Sequence, residues 1–393
     1  PENIKLHIYK ALTETGSELY EDDGLSKDFE MGISTLHHFI QKPKGNNMCA
    51  INGFNFKDKA LAAKMNVVTA HRGPDGTRTL VLEDATFGFN RLAVIDLDER
   101  AMQPMQSANQ RYTIIFNGEI YNYRDLKKEL AGYPWKTESD TEVILAAVTR
   151  WGVEAFAKLN GMFAIALWDR KERKLILARD HLGIKPLYYY HQNGKFIFSS
   201  EIKAILEHGT VPRSINTDAL NIYFRMLYVP SPDTIFSAIH KLKPGHYAII
   251  KDGILTTTQY WRIEERPLIE DKDYLTSEIS RLLHDSVKRQ IISDRPIGVF
   301  LSGGVDSTIV TGIMSKLSSN VKTFSVGFEK TAQSQKYNVD ALLAKRTAQH
   351  FGTVHHEYIL SARNIQENLS RAIYHMDEPI SNHIQTVNML LAE

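Results

Sequence analysis

Ser302-Gly303-Gly304-Val305-Asp306-Ser307 stands between an apolar run, Ile297 to Leu301, and the start of a helical pattern. Adjacent glycines let backbone N–H groups close on an anion, and the dipole of the following helix adds positive charge. The spacing therefore suits a phosphate or pyrophosphate. Asp306, Ser307 or Thr308 is expected to cap that helix. The string is neither a Walker loop nor G-x-G-x-x-G. An acidic residue inside a phosphate loop makes sense if Asp306 holds Mg²⁺ on the pyrophosphate. An ordinary glycine-rich strand-to-helix turn would present the same residues. Cys49 is the only cysteine, and a solitary cysteine is more often a small buried hydrophobe than a nucleophile. His355-His356-Glu357 lacks zinc-ligand spacing and reads as a strand end. Lys316 and Lys322 read as solvated, and Tyr188-Tyr189-Tyr190 as strand packing.

Two kinds of scaffold must position these residues. From Met48 the chain carries short β-rich runs at Thr79 to Leu82, Tyr112 to Phe116, Met162 to Trp168, Lys174 to Ala178, Leu187 to Tyr190 and Phe196 to Phe198. Helices are expected over Asp58 to Met65 and Thr141 to Arg150, the pattern of an α+β layered domain. Polar, proline-bearing stretches at Val229-Pro230-Ser231-Pro232 and Glu264-Glu265-Arg266-Pro267 are candidate hinges. Beyond them helices and strands alternate: helix Tyr274 to Ile292, strand Ile297 to Leu301, strand Thr323 to Val326, helix Ala341 to His350, strand His355 to Ile359 and helix Asn364 to Met376. That alternation predicts a parallel, doubly wound α/β sheet.

A length of 393 residues predicts two or three domains. A net charge of +1 offers no broad basic face for nucleic acid or anionic lipid. No run approaches the ~18 apolar residues of a membrane span. With one cysteine there is no internal disulfide, and a reducing, cytoplasmic setting is expected.

The glycine loop resembles the pyrophosphate loop of the ATP pyrophosphatase superfamily. That resemblance implies ATP cleavage to AMP, with Leu301 and Val326 lining the adenine pocket. Met48-Cys49-Ala50-Ile51-Asn52-Gly53 resembles the start of class II glutamine amidotransferases, in which Met is removed and Cys becomes the N-terminal nucleophile. A free α-amine titrates near ~7.7–8.0 and can accept the thiol proton itself. The likeness continues through His71-Arg72-Gly73-Pro74-Asp75, Arg91-Leu92-Ala93-Val94-Ile95-Asp96, Phe116-Asn117-Gly118-Glu119-Ile120-Tyr121-Asn122 and Ser139-Asp140-Thr141-Glu142. It implies an oxyanion hole from the Asn117 side chain and the Gly118 N–H. Arg91, with Leu92 to Ile95 beside it, would take the glutamine α-carboxylate, and Glu119 and Asp140 its α-ammonium. Singly, each string has a plainer reading: Asn117-Gly118 as a hairpin turn, Asp140 and Glu142 as a helix start, His71-Arg72 as a solvated turn.

Arg179 to Tyr189, Phe198 to Ala204, Tyr228 to Pro232 and Lys243 to His246 extend the match. The order of the two domains resembles that of glutamine-hydrolysing asparagine synthetases. The fold this implies is an N-terminal-nucleophile αββα sandwich at 48–230, a linker at 231–272 and an incomplete ATP pyrophosphatase domain at 273–393, preceded by an extraneous leader at 1–47. The activity it implies uses glutamine, aspartate, ATP and Mg²⁺. Ammonia from the first site crosses an internal tunnel to displace AMP from β-aspartyl-AMP, and the family allows a homodimer. Relatives of this layout also amidate sugars, cell-wall or antibiotic precursors, and an ammonia-dependent ligase or an inactive fragment stays open.

Three departures qualify the resemblance. Residues before Cys49 make its nitrogen an amide, so an internal start at Met48, a cleaved leader or a dead glutaminase is expected. Leu19 to Gly24 with Asp28 to Gly32 resembles the C-terminal β-domain of family 31 α-glucosidases and carries no active site of that family. The later Ser-Gly-(Glu/Asp)-Gly-x-Asp-Glu loop of the synthetases does not occur before Glu393, so a fragment is expected. Asp377-Glu378-Pro379 fits the family, while Ser381-Asn382-His383-Ile384 does not.

Overall fold

The computed structural model describes residues 40–41, as backbone only, together with 48–329, 338–379, 381 and 384–392. The acidic patch Tyr20 to Gly24, the glucosidase-like strings, linker residues Lys42 to Asn47, and Ile380, Asn382, His383 and Glu393 lie outside the described residues. The chain divides into two units. One is Asn46–Ile263 with Leu369–Gln385; the other is Pro1–Gly45, Glu264–Asn368 and Thr386–Glu393. The two-residue strand β1 (Ile40–Gln41) belongs to the latter.

The first unit is built on two six-stranded antiparallel sheets. One runs β11 (Ile239–Lys241), β9 (Tyr188–Gln192), β10 (Lys195–Ser199), β2 (Ala50–Phe54), β4 (Thr86–Arg91), β3 (Gly76–Val81). The other runs β13 (Ile254–Gln259), β12 (His246–Lys251), β8 (Lys174–Arg179), β7 (Gly161–Asp169), β6 (Tyr112–Ile120), β5 (Met105–Gln106). The central strands read as near-continuous apolar runs because both of their faces are covered. Ile51, Phe87, Phe89, Phe196 and Phe198 of the first sheet meet Ile115, Ala164, Ala166, Leu175, Leu177 and Ile250 of the second in one core. On the outer side of the first sheet, Phe54 and Ile197 pack with Leu61 and Met65 of α1 (Lys59–Val68). The second sheet is covered by α2 (Tyr123–Glu129) and α3 (Asp140–Trp151), whose residues from Asp140 to Val148 are buried. Asp58 and Ser139 start α1 and α3 by accepting the N–H groups of Leu61 and Thr141. Helix, sheet, sheet, helix is the layering the sequence implies.

Three polar residues stand in β2 and β4: Asn52 within the apolar run of β2, and Thr86 and Asn90 alternating with the phenylalanines of β4. All three are fully buried. Asn52 and Asn90 share the Thr69 hydroxyl at 2.9 Å each, which satisfies their amides in the core. Residues 239–259, read from the sequence as linker, carry β11, β12 and β13. α4 (Ile202–Ile205) and α5 (Thr217–Met226) complete this part of the chain.

In the second unit α6 (Lys272–Gln290) precedes β14 (Gly298–Phe300), α7 (Val305–Leu317), β15 (Lys322–Phe328), α8 (Val339–Phe351) and β16 (Val354–Leu360). β14, β15 and β16 pair in parallel, and β1 pairs antiparallel with β14. Val287, Val299, Val310, Ile313 and Met314 form its main core. α9 (Ala362–Met376) begins in this unit, and α10 (Ile384–Ala392) follows it in sequence. Among the described residues, no helix is long and apolar enough to cross a membrane.

Candidate active site

Cys49 is the residue before β2, and the pairing of Ala50 with Asn90 brings it beside the end of β4. Its Sγ accepts the Leu92 N–H at 3.3 Å and stands 3.5 Å from the Leu92 carbonyl. Burial pushes the Cys49 thiol up to about 11, and the Glu119 charge adds to this; the Leu92 hydrogen bond and the charges of Lys185 and Arg72 oppose it. With an amide at its own nitrogen, Cys49 is therefore a protonated thiol at neutral pH that needs a base.

Arg72 fixes the backbone of that residue. Its Nε donates to the Cys49 carbonyl at 3.2 Å and its Nη1 to Glu201 at 3.2 Å. His71 and Lys203 also contact Glu201, at 2.9 and 2.7 Å. Burial pushes the Glu201 carboxyl up, but the His71 hydrogen bond and the Arg72 and Lys203 charges outweigh it and hold the group at about 2. Arg72 is 7% exposed, so the solvated-turn reading of His71-Arg72 is replaced by a buried ionic anchor.

β6 supplies Asn117, Gly118 and Glu119 in succession. Asn117 is 1% exposed, and its Nδ2 has no hydrogen-bond partner among the described residues. A buried amide donor left open costs free energy unless a ligand oxygen takes it. Gly118 lies opposite Phe163 of β7, and a Cβ there would stand 2.1 Å from the Met162 carbonyl oxygen. Asn117-Gly118 is thus mid-strand, and the hairpin-turn alternative is excluded by the pairing.

Arg91 ends β4 and donates to the Asp98 and Asp96 carbonyls at 2.9 and 2.6 Å. Asp96 has a positive φ of 52°. Its carboxylate accepts the Glu138 N–H at 2.8 Å, and Arg100 pairs with it at 3.1 Å. Asp75 accepts the Ala93 N–H at 2.8 Å, which pins the loop; Leu92, Val94 and Ile95 are half-buried within it. Asp140, first residue of α3, accepts the Ile120 N–H at 2.9 Å and so lies against the end of β6. The fold brings Cys49 directly to Leu92 and within electrostatic reach of Glu119. Arg72, Asp75 and Glu201 received no role from the sequence, although they sit inside the H-R-G-P-D and F-S-S-E strings. Only the tertiary contacts reveal what they hold.

In the second unit, Leu301 donates to the Phe324 carbonyl at 2.7 Å and packs on Ala344 and Ala348. Gly303 takes a φ of 78°, and a Cβ on it would meet Leu343 Cβ at 2.5 Å and Ala344 N at 2.6 Å. α7 is capped by Gly304 with no side-chain bond, not by Asp306, Ser307 or Thr308. The reason is position: all three lie inside the helix, and the Ser307 hydroxyl accepts the Ser302 N–H at 3.3 Å and donates to the Gly304 carbonyl at 3.2 Å. The first-turn N–H groups of α7 therefore have no side-chain cap. Asp306 is half-buried and raised by burial. Val326 is half-buried on β15. The ring nitrogens of His355 contact the hydroxyls of Thr323 and Ser325 at 2.9 and 3.1 Å, a strand-packing role.

A glutamine amidotransferase domain model matches residues 48–261, and an asparagine synthase model matches residues 278–393. The chain is 34% identical to putative asparagine synthetase [glutamine-hydrolyzing] 2 of Methanocaldococcus jannaschii, covering 86% of this chain and 69% of that protein. The chain belongs to the glutamine-hydrolysing asparagine synthetase family. It is 38% identical to asparagine synthetase [glutamine-hydrolyzing] 1 of Bacillus subtilis over 82% of this chain and 50% of that one. Against asparagine synthetase B of Escherichia coli the figures are 30%, 84% and 57%. The chain thus spans between half and about two thirds of the length of these relatives.

The synthetase-like Asp377-Glu378-Pro379 lies in the stretch 369–385 that packs with the amidotransferase unit. Asp377 accepts the Ile202 N–H at 2.8 Å and pairs with Lys203 at 2.9 Å. Glu378 pairs with Lys241 at 2.8 Å and accepts the Ile235 N–H at 3.3 Å. Burial pushes both carboxyl groups up while their lysine partners pull them back.

Proposed function

We propose that this chain performs the glutamine-dependent amidation of its family, with Cys49 as nucleophile once its α-amine is free. The α-amine takes the thiol proton, and the sulfur attacks the amide carbon of glutamine. The tetrahedral oxyanion rests on the Asn117 Nδ2–H and the Gly118 N–H. The protonated α-amine returns its proton to the leaving nitrogen, which departs as ammonia, and water hydrolyses the thioester to glutamate. Arg91 takes the α-carboxylate, beside Leu92, Ala93, Val94 and Ile95; Glu119 and Asp140 take the α-ammonium.

The observation that carries this reading is the open Asn117 amide, buried one strand position from a glycine that tolerates no side chain. In the second unit, Leu301, Ser302, Gly303, Gly304, Asp306, Ser307 and Val326 are proposed to hold ATP, with aspartate as the acceptor it activates. The Asp306 carboxylate fits a hard cation completed by phosphate oxygens, so Mg²⁺ would be held there and would neutralise the departing pyrophosphate. A cytoplasmic homodimer belongs to the same reading; the lone cysteine supports the compartment.

The test removes residues 1–48 so that Cys49 is first, and measures glutamate released from glutamine. Activity in that form, absent in Cys49→Ala and absent while the preceding residues remain attached, is expected. Release that survives Cys49→Ala removes the thiol from the mechanism. Mg-ATP is expected to raise the melting temperature of the chain, and Asp306→Asn to reduce that shift.

A further inference from the structure

Lys185 is a buried cation that the reaction above does not use. It is 4% exposed, and its Nζ lies 2.8 Å from the thioether sulfur of Met48, the residue before Cys49. A thioether is a weak acceptor, and it is the side-chain acceptor on that nitrogen among the described residues. A buried ammonium so poorly partnered carries a real desolvation cost.

The loop that presents it is rigidly held. Asp180, fully buried, accepts the N–H groups of Lys185, Ile184 and Leu182 at 2.9, 2.8 and 3.2 Å. Its Oδ2 also accepts the Phe163 N–H at 3.1 Å, and Phe163 pairs with Gly118. The Arg179 guanidinium closes the loop from the other side on the carbonyls of Lys185, Gly183 and Leu242. The charged groups that act on Lys185 are Glu119 of β6, Arg72 of the turn after α1, Cys49 before β2 and Asp180 of its own loop. Arg72 pairs with Glu201 at 3.2 Å, whereas the Lys185 nitrogen contacts the Met48 sulfur.

We propose that Lys185 is a positioning residue that keeps a positive charge against Cys49, favouring its thiolate and, when Cys49 is N-terminal, its unprotonated α-amine. The inference rests on the reading of Cys49 as nucleophile. A neighbouring cation lowers the proton affinity of both groups, and the Lys185 nitrogen sits on the residue next to Cys49. Burial pulls Lys185 itself down to about 8, so it carries its charge across the neutral range and loses it above.

The whole chain tests this without turnover, because Cys49 is its only cysteine. The rate of iodoacetamide alkylation between pH 6 and 8 reads its thiolate fraction directly. Lys185→Met and Lys185→Gln are expected to be alkylated about tenfold more slowly than the parent, and Lys185→Arg at close to the parent rate. Equal rates in a neutral variant with a native-like melt overturn the proposal, as does failure of both neutral variants to fold, which makes the charge structural. In the form beginning at Cys49, the acid limb of kcat/KM for glutamine is expected to move to higher pH in the neutral variants, with KM little changed. Absence of glutaminase in the parent form defeats the proposed function; an unmoved alkylation profile defeats this inference alone.

Discussion

Leu92 donates its backbone N–H to the sulfur of Cys49 at 3.3 Å. An N–H on sulfur favours the thiolate, and Leu92 follows Arg91, the proposed carboxylate clamp. Its loop is tied down by Asp75 on Ala93 and by the carbonyls of Asp96 and Asp98 on Arg91. The proposed nucleophile thus leans on the same short, pinned segment that carries the proposed substrate clamp.

Asn117→Ala is expected to lower glutaminase kcat by ~10²–10³ with little change in KM, the signature of a donor that acts on the oxyanion. Its Nδ2 is buried with no partner among the described residues, so the melting temperature should hold or rise. A large fall in stability with normal kcat would show that the amide serves packing instead.

Arg91→Lys should act mainly on binding. A lysine keeps the charge and loses the planar fork that serves both the Asp96 and Asp98 carbonyls and a carboxylate. Loss of charge-assisted hydrogen bonds of ~1.5–3 kcal/mol predicts a rise in KM for glutamine of roughly 10- to 100-fold. An unchanged KM would place the α-carboxylate elsewhere.

Glu201 links stability to acid. Its carboxyl is held at about 2 in the folded protein, below the ordinary value of ~4.3. The stabilisation is present above that ordinary value and fades as pH falls through about 2. Glu201→Gln should cost on the order of 3 kcal/mol at pH 7, with the gap to the parent narrowing at pH 3. Urea midpoints at the two pH values check this; an equal gap at both would mean that the loss is not electrostatic.

Gly303→Ala meets two obstacles, a φ of 78° and a Cβ 2.5 Å from that of Leu343. A loss of ~1–3 kcal/mol in the second unit is expected. The Mg-ATP melting shift should disappear with it, whereas a retained shift would exclude the loop from nucleotide binding.

The sequence makes some of this legible and hides the rest for identifiable reasons. The strand at Tyr112 and the helix at Thr141 are readable because apolar periodicity and the Ser139 cap agree. β2 and β4 hide because buried asparagines answer to Thr69 rather than to a neighbour in sequence. Arg72 and Glu201 are 129 positions apart, and no local pattern reports their contact. The Gly304 cap shows the reverse case, where residues suited to capping fall inside the helix and Ser307 turns to Ser302 instead.

Asp377 and Glu378 hold Lys203 and Lys241, whose side chains are only 11% and 12% exposed. A cut after Ile263 would take the carboxylate partner from Lys241, at roughly 3–5 kcal/mol for the deserted pair, and would leave Lys203 with Glu201 alone. The amidotransferase half is therefore not portable as one continuous stretch: grafted onto a foreign partner, it must bring residues 369–385 with it.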